Sequence, residues 1–431
     1  MRRTTRDHAS REVNELAPEI ATYGIAALAT GGVVLRPWRL PEAIWAVIGA
    51  ALLVILGLLP IMEAWQGILR GVDVYLFLIG MTMLAELARQ EGLFDWLAGY
   101  AVAHAKGSGP RLFLLVYAVG VIVTIFLSND ATAVVLTPAV FAAARAAGAK
   151  PLPYLLLCAF VANAASFVLP ISNPANLVIY GHAMPPLGAW LWQFTLPSIA
   201  AIIVTYLILR LMLARAIAAP LQPNPPAVEL SRGGRLTGYG LVVTGIVLVV
   251  ASASGWQLGL PTFVTGVLTA AFVLIGNRQS PWPLLRGVPW SVIPLVAGLF
   301  VLVEALQHVG LIDRLAAYLH SAAEQSVGWT ATIAGAGIAF LCNLMNNLPA
   351  GLIASSTMSA AQVPNHVAGA VLIGVDLGPN LSITGSLATI IWLLALRRDG
   401  ETISAWDFLK LGCMVMPPAL LAALAALALT A

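Results

Sequence analysis

The chain alternates long apolar runs with short polar turns. Runs such as 43–59 and 240–253 hold no charged residue. A helix that crosses a bilayer needs about 20 mostly apolar residues. The pattern predicts spans near 20–35, 41–60, 73–88, 111–127, 153–171, 191–213, 237–254, 260–276, 289–308, 366–380 and 408–430. Other apolar pieces, at 131–144, 174–189, 330–345, 348–360 and 383–396, are too short or are interrupted by Pro, Gly, Asn or Asp. A β-barrel would instead show alternating segments of about ten residues.

The pattern also repeats. A proline-rich polar loop at 216–236 divides the chain into halves, 20–215 and 237–431, of nearly equal length. Each half has about three spans, then a short hairpin with a polar tip (near 120–144 and 330–360), then a broken helix (near 153–189 and 366–396). Asn129 and Asn346 stand at the same distance into their halves, counted from residues 20 and 237. Paired interruptions at corresponding places point to inverted repeats with a ligand site at their interface. The expected fold is an all-α polytopic membrane protein of two inverted repeats, each with a re-entrant hairpin and a broken helix.

Composition agrees and narrows the function classes. Of 431 residues, 60% are hydrophobic and 10% charged, where a soluble protein carries about 25% charged residues. The mean hydropathy is +0.90. The net charge of +3 is too small to suggest a nucleic-acid partner, and the lipid bilayer is the first partner. Cys158, Cys342 and Cys413 are too few and too scattered for a disulfide framework. The polar first 17 residues do not read as a cleavable signal. No ATP-binding motif, cofactor motif or paired acidic metal motif stands out. The reading is a secondary transporter rather than an enzyme, with no cofactor and no metal.

Charge sets an orientation. If the tail 1–19 and the middle loop share the cytoplasmic side and the hairpins come from opposite sides, sixteen of the 22 Lys and Arg fall on the cytoplasmic side. Arg36, Arg39, Arg89, Lys106, Arg111 and Arg314 fall outside. The positive-inside rule favours that layout. It implies an odd number of spans and an outward C-terminus.

Four stretches put polar groups at membrane depth: Ser128-Asn129-Asp130-Ala131-Thr132, Ser172-Asn173-Pro174-Ala175-Asn176, Asn343 to Pro349 with Asn346-Asn347, and Asp376-Leu377-Gly378-Pro379-Asn380 followed by Thr384-Gly385-Ser386. Irregular backbone is tolerated there only where protein or a wet cavity satisfies its polar groups. Asn, Ser and Thr supply compact donors and acceptors, and half-helix ends add dipoles. An isolated Asn or Ser of this kind is more often a kink with helix–helix hydrogen bonds. Four breaks, two per half, favour one shared substrate site. A carboxyl shielded from bulk water can hold and release a proton, so Asp130 and Asp376 are the candidates for proton coupling. Their bland alternative is a carboxylate held by backbone N–H groups at a helix start. Glu86 and Glu304 read as interfacial, and His308 as the local partner of Glu304. Cys342 is a soft donor beside Asn343, but a lone buried cysteine usually packs as an apolar residue.

At these stretches the chain resembles a known family. "FLSNDATAVVLTP", "ASFVLPISNPANLV", "GVPWSVIPLVAGLFVLVEALQHVGL", "FLCNLMNNLPAGL" and "IGVDLGPNLSITGSLATIIWL" are similar to the bacterial arsenite/antimonite permeases, the membrane subunits of arsenical pumps. The likeness runs from about residue 40 to the end. It implies efflux of arsenite and antimonite from the cytoplasm across the bacterial inner membrane, coupled to proton influx by alternating access. It leaves room for a cytoplasmic ATPase subunit as partner. It implies substrate contacts at Ser128, Asn129, Asp130, Thr132, Ser172, Asn173, Asn176, Asn346, Asn347 and Asp376. The chain departs from the family at Ala131-Thr132, where Gly-Ala is usual, and Thr132 adds a hydroxyl. The rival readings are a sodium-coupled symporter of a small anion on the same scaffold, a membrane-embedded enzyme, and a passive channel.

Overall fold

The computed structural model describes residues 2–222 and 229–430, with the side chains of residues 2–16, Arg39 and His182 left out of the description. The tail and part of the middle loop singled out above therefore lie outside the described side chains. Among the described residues the chain is helical throughout, with one isolated β-bridge between Ser108 and Pro220.

The first half contains α1 (Arg2–Leu35), α2 (Glu42–Ile55), α3 (Ile61–Arg70), α4 (Val72–Gln90), α5 (Leu93–Ala105), α6 (Gly109–Leu127), α7 (Thr137–Ala146), α8 (Leu152–Ala164), α9 (Pro174–Tyr180) and α10 (Leu187–Met212). The second contains α11 (Arg232–Ala253), α12 (Gly259–Gly276), α13 (Trp282–Gly287), α14 (Val292–His308), α15 (Leu311–Gln325), α16 (Val327–Met345), α17 (Asn347–Ala361), α18 (Asn365–Leu377), α19 (Leu387–Arg398) and α20 (Ala405–Ala428). The halves match element for element. Helices α6 and α7 form one hairpin and α16 and α17 the other. The pairs α8–α9 and α18–α19 are the broken helices. Packing matches too: α2 lies on α14 as α12 lies on α4, and α6 on α8 as α16 on α18.

Small residues permit these close approaches, as they do generally between membrane helices. A Cβ on Gly80 of α4 would meet the Thr262 carbonyl of α12 at 2.5 Å, and one on Gly298 of α14 would meet the Ala46 backbone of α2 at 2.8 Å. Seven helices are long and apolar enough to cross a membrane, or up to nine if each of two bent pairs counts as one span, among the described residues.

Contacts sort the loops into two faces. The middle loop bridges both feet of the first hairpin: the Leu221 N–H donates to Gly107 O (2.9 Å) and the Gln222 N–H to Ala147 O (3.0 Å). Ser231 Oγ donates to Glu91 O (3.0 Å), which puts the end of α4 on this linker face too. On the far face, Arg314 after α14 meets Glu19 of α1 at 3.3 Å, and Thr430 beyond α20 reaches Gln193 O at the start of α10 (3.3 Å).

This corrects the orientation read from charge. The segment 111–127 is one arm of a hairpin that returns to the face it left, not a full crossing. Every segment before it therefore changes sides. Arg36, Arg39, Arg89, Lys106 and Arg111 join the linker face, and α1 starts on the far face, where α20 also ends. The basic excess stays with the linker face: sixteen of the 22 Lys and Arg lie there, and Arg70, Arg314 and, at the start of α1, Arg2, Arg3, Arg6 and Arg11 lie on the far face.

Candidate substrate cavity

The first hairpin turns at Ser128, whose backbone (φ 109, ψ 160) lies in a region ordinarily left to glycine. Asn346 (φ 74, ψ 153) turns the second hairpin in the same way. Ser128, not Asn129, is thus the counterpart of Asn346, and Asn129 that of Asn347. Each turn residue caps the arm that follows. Ser128 Oγ accepts from the Ala131 N–H (3.5 Å), and Asn346 Oδ1 accepts from the Leu348 N–H (3.3 Å). The returning arm of the first hairpin starts as a π-helix over Ala131–Leu136.

The broken helices supply two further tips. Asn173 starts α9, its Oδ1 accepting from the Ala175 N–H at 3.0 Å. Ser386 starts α19, its Oγ accepting from the Thr389 N–H at 3.1 Å. Proline at Pro170, Pro174 and Pro379 keeps these stretches from closing into continuous helix.

All four tips meet in one cavity of about 600 Å³. Ser128, Asn129 and Asp130 come from the first hairpin, Asn173 from the first break, Asn347 from the second hairpin and Ser386 from the second break. Leu78 and Met81 of α4, Val134, Val135 and Leu387 form apolar walls. The polar tips form the inner end of the cavity, and those other than Asp130 are at most 5% exposed. Its mouth is charged and lies on the linker face, where Glu86 and Arg89 of α4 stand with Gly287, Arg398 and Asp399. Helix α17 packs against α9 between the tips and the far face, and Ser355 Oγ donates to Ile179 O across that contact (2.8 Å).

The structure separates the expected site residues into lining and bracing groups. Ser128, Asn129, Asp130, Asn173 and Asn347 line the cavity. Thr132 does not: its hydroxyl faces back across the hairpin to Thr124 Oγ1 (2.8 Å). Ser172 ties the first break to the hairpin by donating to Ile125 O (3.1 Å). Asn176 donates to Ser166 O (2.9 Å), Leu169 O (3.3 Å) and Pro170 O (3.2 Å), binding the loose backbone of the break. Asn346 lies outside the cavity lining, against Arg36 and Glu42. Asp376 is 0% exposed and sits behind Asn173, whose Nδ2 donates to Asp376 Oδ1 at 2.7 Å.

Other polar residues also differ from expectation. Glu304 pairs with Arg70 (2.6 Å) and His308 with Glu63 (2.8 Å), so both find partners on α3 rather than each other. Glu86 accepts from Arg89 and Gln90 at the cavity mouth. Sequence reasoning missed Asn163, which donates to Asn380 Oδ1 across the halves (3.0 Å). Asn343 braces the second break from α16, donating to Gly378 O (2.9 Å) and accepting from Ser382 (2.6 Å). It is no part of the lining, although it was legible as a polar residue in an apolar arm. Cys158 and Cys342 are buried away from the cavity lining.

Two halves with matching elements and a polar cavity where their breaks meet are the arrangement of a membrane transporter. The chain belongs to the citrate transporter family, whose profile matches residues 27–375. It is 28% identical over 408 residues to the arsenical pump membrane protein of Escherichia coli, covering 89% of this chain and 92% of that one. It is 29% identical over 367 residues to the arsenical pump membrane protein of Yersinia enterocolitica, covering 81% and 85%. The putative arsenical pump membrane protein of Bacillus subtilis is 25% identical over 414 residues, covering 89% and 93%. In fold, the chain is similar to the crystal structure of the Alcanivorax borkumensis YdaH transporter, described as having an unusual topology. That TM-score is 0.54 at 16% identity, covering 85% of this chain and 86% of that one.

Proposed function

We propose that this transporter carries trivalent arsenic and antimony, as their neutral trihydroxides, out of the cytoplasm across the inner membrane in exchange for protons. The observation that carries this reading is the chemistry of the inner cavity end. Amides, hydroxyls and one carboxyl converge there, and the arginines of the lining, Arg89 and Arg398, stand at the mouth. An uncharged, hydroxyl-rich solute needs hydrogen bonds rather than a counter-charge. With the cysteines outside the lining, it is held through its hydroxyls and not through metalloid–sulfur bonds. The similarity to arsenical pump membrane proteins over most of the chain supports the same substrate class.

The linker face carries the basic excess and is the cytoplasmic one under the positive-inside rule. The cavity then opens to the cytoplasm, where an export substrate loads, and both chain ends face outward. A neutral solute gains nothing from the membrane potential, so uphill export needs a coupled ion. Asp130 is the carboxyl that lines the cavity among the four tips and is the group assigned the exchanged proton. The substrate displaces the proton on the cytoplasmic side, and a proton taken up outside resets the site. Movement of the hairpins and broken helices against α4 and α14 exposes the tips alternately. An ATPase subunit, if one docks, meets the linker face.

A second reading, sodium-coupled transport of a small anion, is favoured by one feature. The N-terminal ends of α17 and α19 line the cavity, and such ends attract negative charge. Purified protein in liposomes separates the readings, with proton and sodium gradients imposed one at a time. Arsenite export driven by the proton gradient alone supports the first. Sodium-dependent uptake of a dicarboxylate or tricarboxylate with no arsenite flux would replace it.

A further inference from the structure

The two sides of the cavity are not equivalent. Helices α8 and α18 are counterparts, and their next-to-last residues are Asn163 and Asp376. The residues that start the following half-helices, Asn173 and Ser386, are counterparts too. Asp376 meets Asn173 across the halves at 2.7 Å. Asn163 makes no corresponding bond to Ser386; it donates to Asn380 instead, and the Ser386 hydroxyl meets Thr389 of its own helix (3.0 Å).

Asn173 is therefore held at two points. Its Oδ1 accepts from the Ala175 N–H, and one hydrogen of its Nδ2 goes to Asp376. That leaves its second N–H for the cavity, which Asn173 lines. Asp376 itself is fully buried and does not line the cavity. Its second oxygen, Oδ2, makes no bond of full hydrogen-bond geometry among the described residues, the Ser166 side chain being the other group near the carboxyl. A buried carboxyl with one oxygen so poorly bonded is kept at a cost unless the other does something. A primary amide offers no preference for which end it turns toward a ligand until its neighbours choose.

We infer that Asp376 is a positioning residue: it fixes the Asn173 amide so that an N–H, and not the carbonyl, points at the substrate. Ser386, with a hydroxyl that rotates, supplies the adaptable contact on the opposite wall. The cradle thus has one rigid donor and one rotating donor or acceptor. That arrangement suits a solute whose oxygens accept on one side and whose O–H groups donate or accept on the other. The inference rests on the reading of the cavity as the metalloid trihydroxide site, and it deepens that reading. It moves Asp376 out of the proton pathway and leaves Asp130 alone there.

The test compares Asp376→Asn, Asp376→Ala and Asn173→Ser with the unchanged protein in liposomes, by arsenite flux under an imposed proton gradient. Asp376→Asn keeps an acceptor at Oδ1, so its KM for arsenite and its protons moved per arsenite stay within about twofold. Asp376→Ala removes one of the two holds on the Asn173 amide, and KM rises about tenfold with kcat little changed. In the Asn173→Ser background, adding Asp376→Ala changes KM no further. Loss of proton coupling in Asp376→Asn would make Asp376 a proton carrier and overturn the inference. So would an unchanged KM in Asp376→Ala. If Asp376→Ala does not fold, the Asp376→Asn and Asn173→Ser arms still decide. Absence of arsenite flux in the unchanged protein would sink the arsenite reading by itself. The Asn173–Asp376 bond is then read without substrate, from a double-mutant cycle in melting temperature on the full chain in detergent. Simple additivity there would overturn the inference independently.

Discussion

Asp130 is the one acidic side chain in the inner end of the cavity, with Glu86 and Asp399 at the mouth. A carboxyl there can exchange a proton with whatever enters, and an amide of the same shape cannot. Asp130→Asn is expected to abolish proton-driven arsenite flux while leaving the folded protein and its binding of arsenite largely in place. Flux at the wild-type rate under a proton gradient would end Asp130's assignment. Thr132 is a contrasting case. It carries a hydroxyl in the same short stretch, yet it braces the hairpin through Thr124. Thr132→Ala should lower the melting temperature, with a loss of about 1 kcal/mol for the hydrogen bond, and leave KM unchanged. Residue type and position could not separate these roles, because adjacent residues on a turning backbone face opposite ways.

At the scale of elements, the hairpin turns carry the strain. Ser128 and Asn346 hold a conformation that costs a residue with a Cβ about 1–3 kcal/mol. Ser128→Gly should therefore raise the melting temperature even as it removes a cavity hydroxyl, and Ser128→Val should lower it. Equal melting temperatures for the two variants would mean that the turn is not strained. The contact between α16 and α18 is equally restrictive. A Cβ on Gly374 would run into the Gly335 carbonyl oxygen. Gly374→Val should cost about 1–3 kcal/mol by overpacking and push the second break out of register. Loss of both stability and flux is the expected outcome, measured by melting in detergent and by liposome assay. The hairpins and breaks were legible as elements because Asn, Asp, Ser and Pro interrupt apolar runs at corresponding places in both halves. Which arm returns to its own face was not legible. A helix of 19 apolar residues such as α6 has the length of a crossing whether it crosses or turns back.

The whole molecule sets the direction of transport. With the linker face inside, a cysteine at Gly400 should be labelled by an impermeant maleimide only in inside-out vesicles. One at Thr430 should be labelled only in right-side-out vesicles, both in a background without Cys413. The reverse pattern would invert the assigned orientation and turn the open cavity outward. The chain alone determined the membrane class, the two matching halves, the four polar breaks and the residues from which a site is drawn. Those follow from composition and from the local rule that backbone polar groups in lipid must be satisfied close by. Only the tertiary structure decided which of those residues reach the cavity and that Asp376 stands behind Asn173. These depend on contacts between residues some 200 positions apart, where helix rotation and the path of a re-entrant hairpin determine what meets, and neither leaves a periodic trace in the chain.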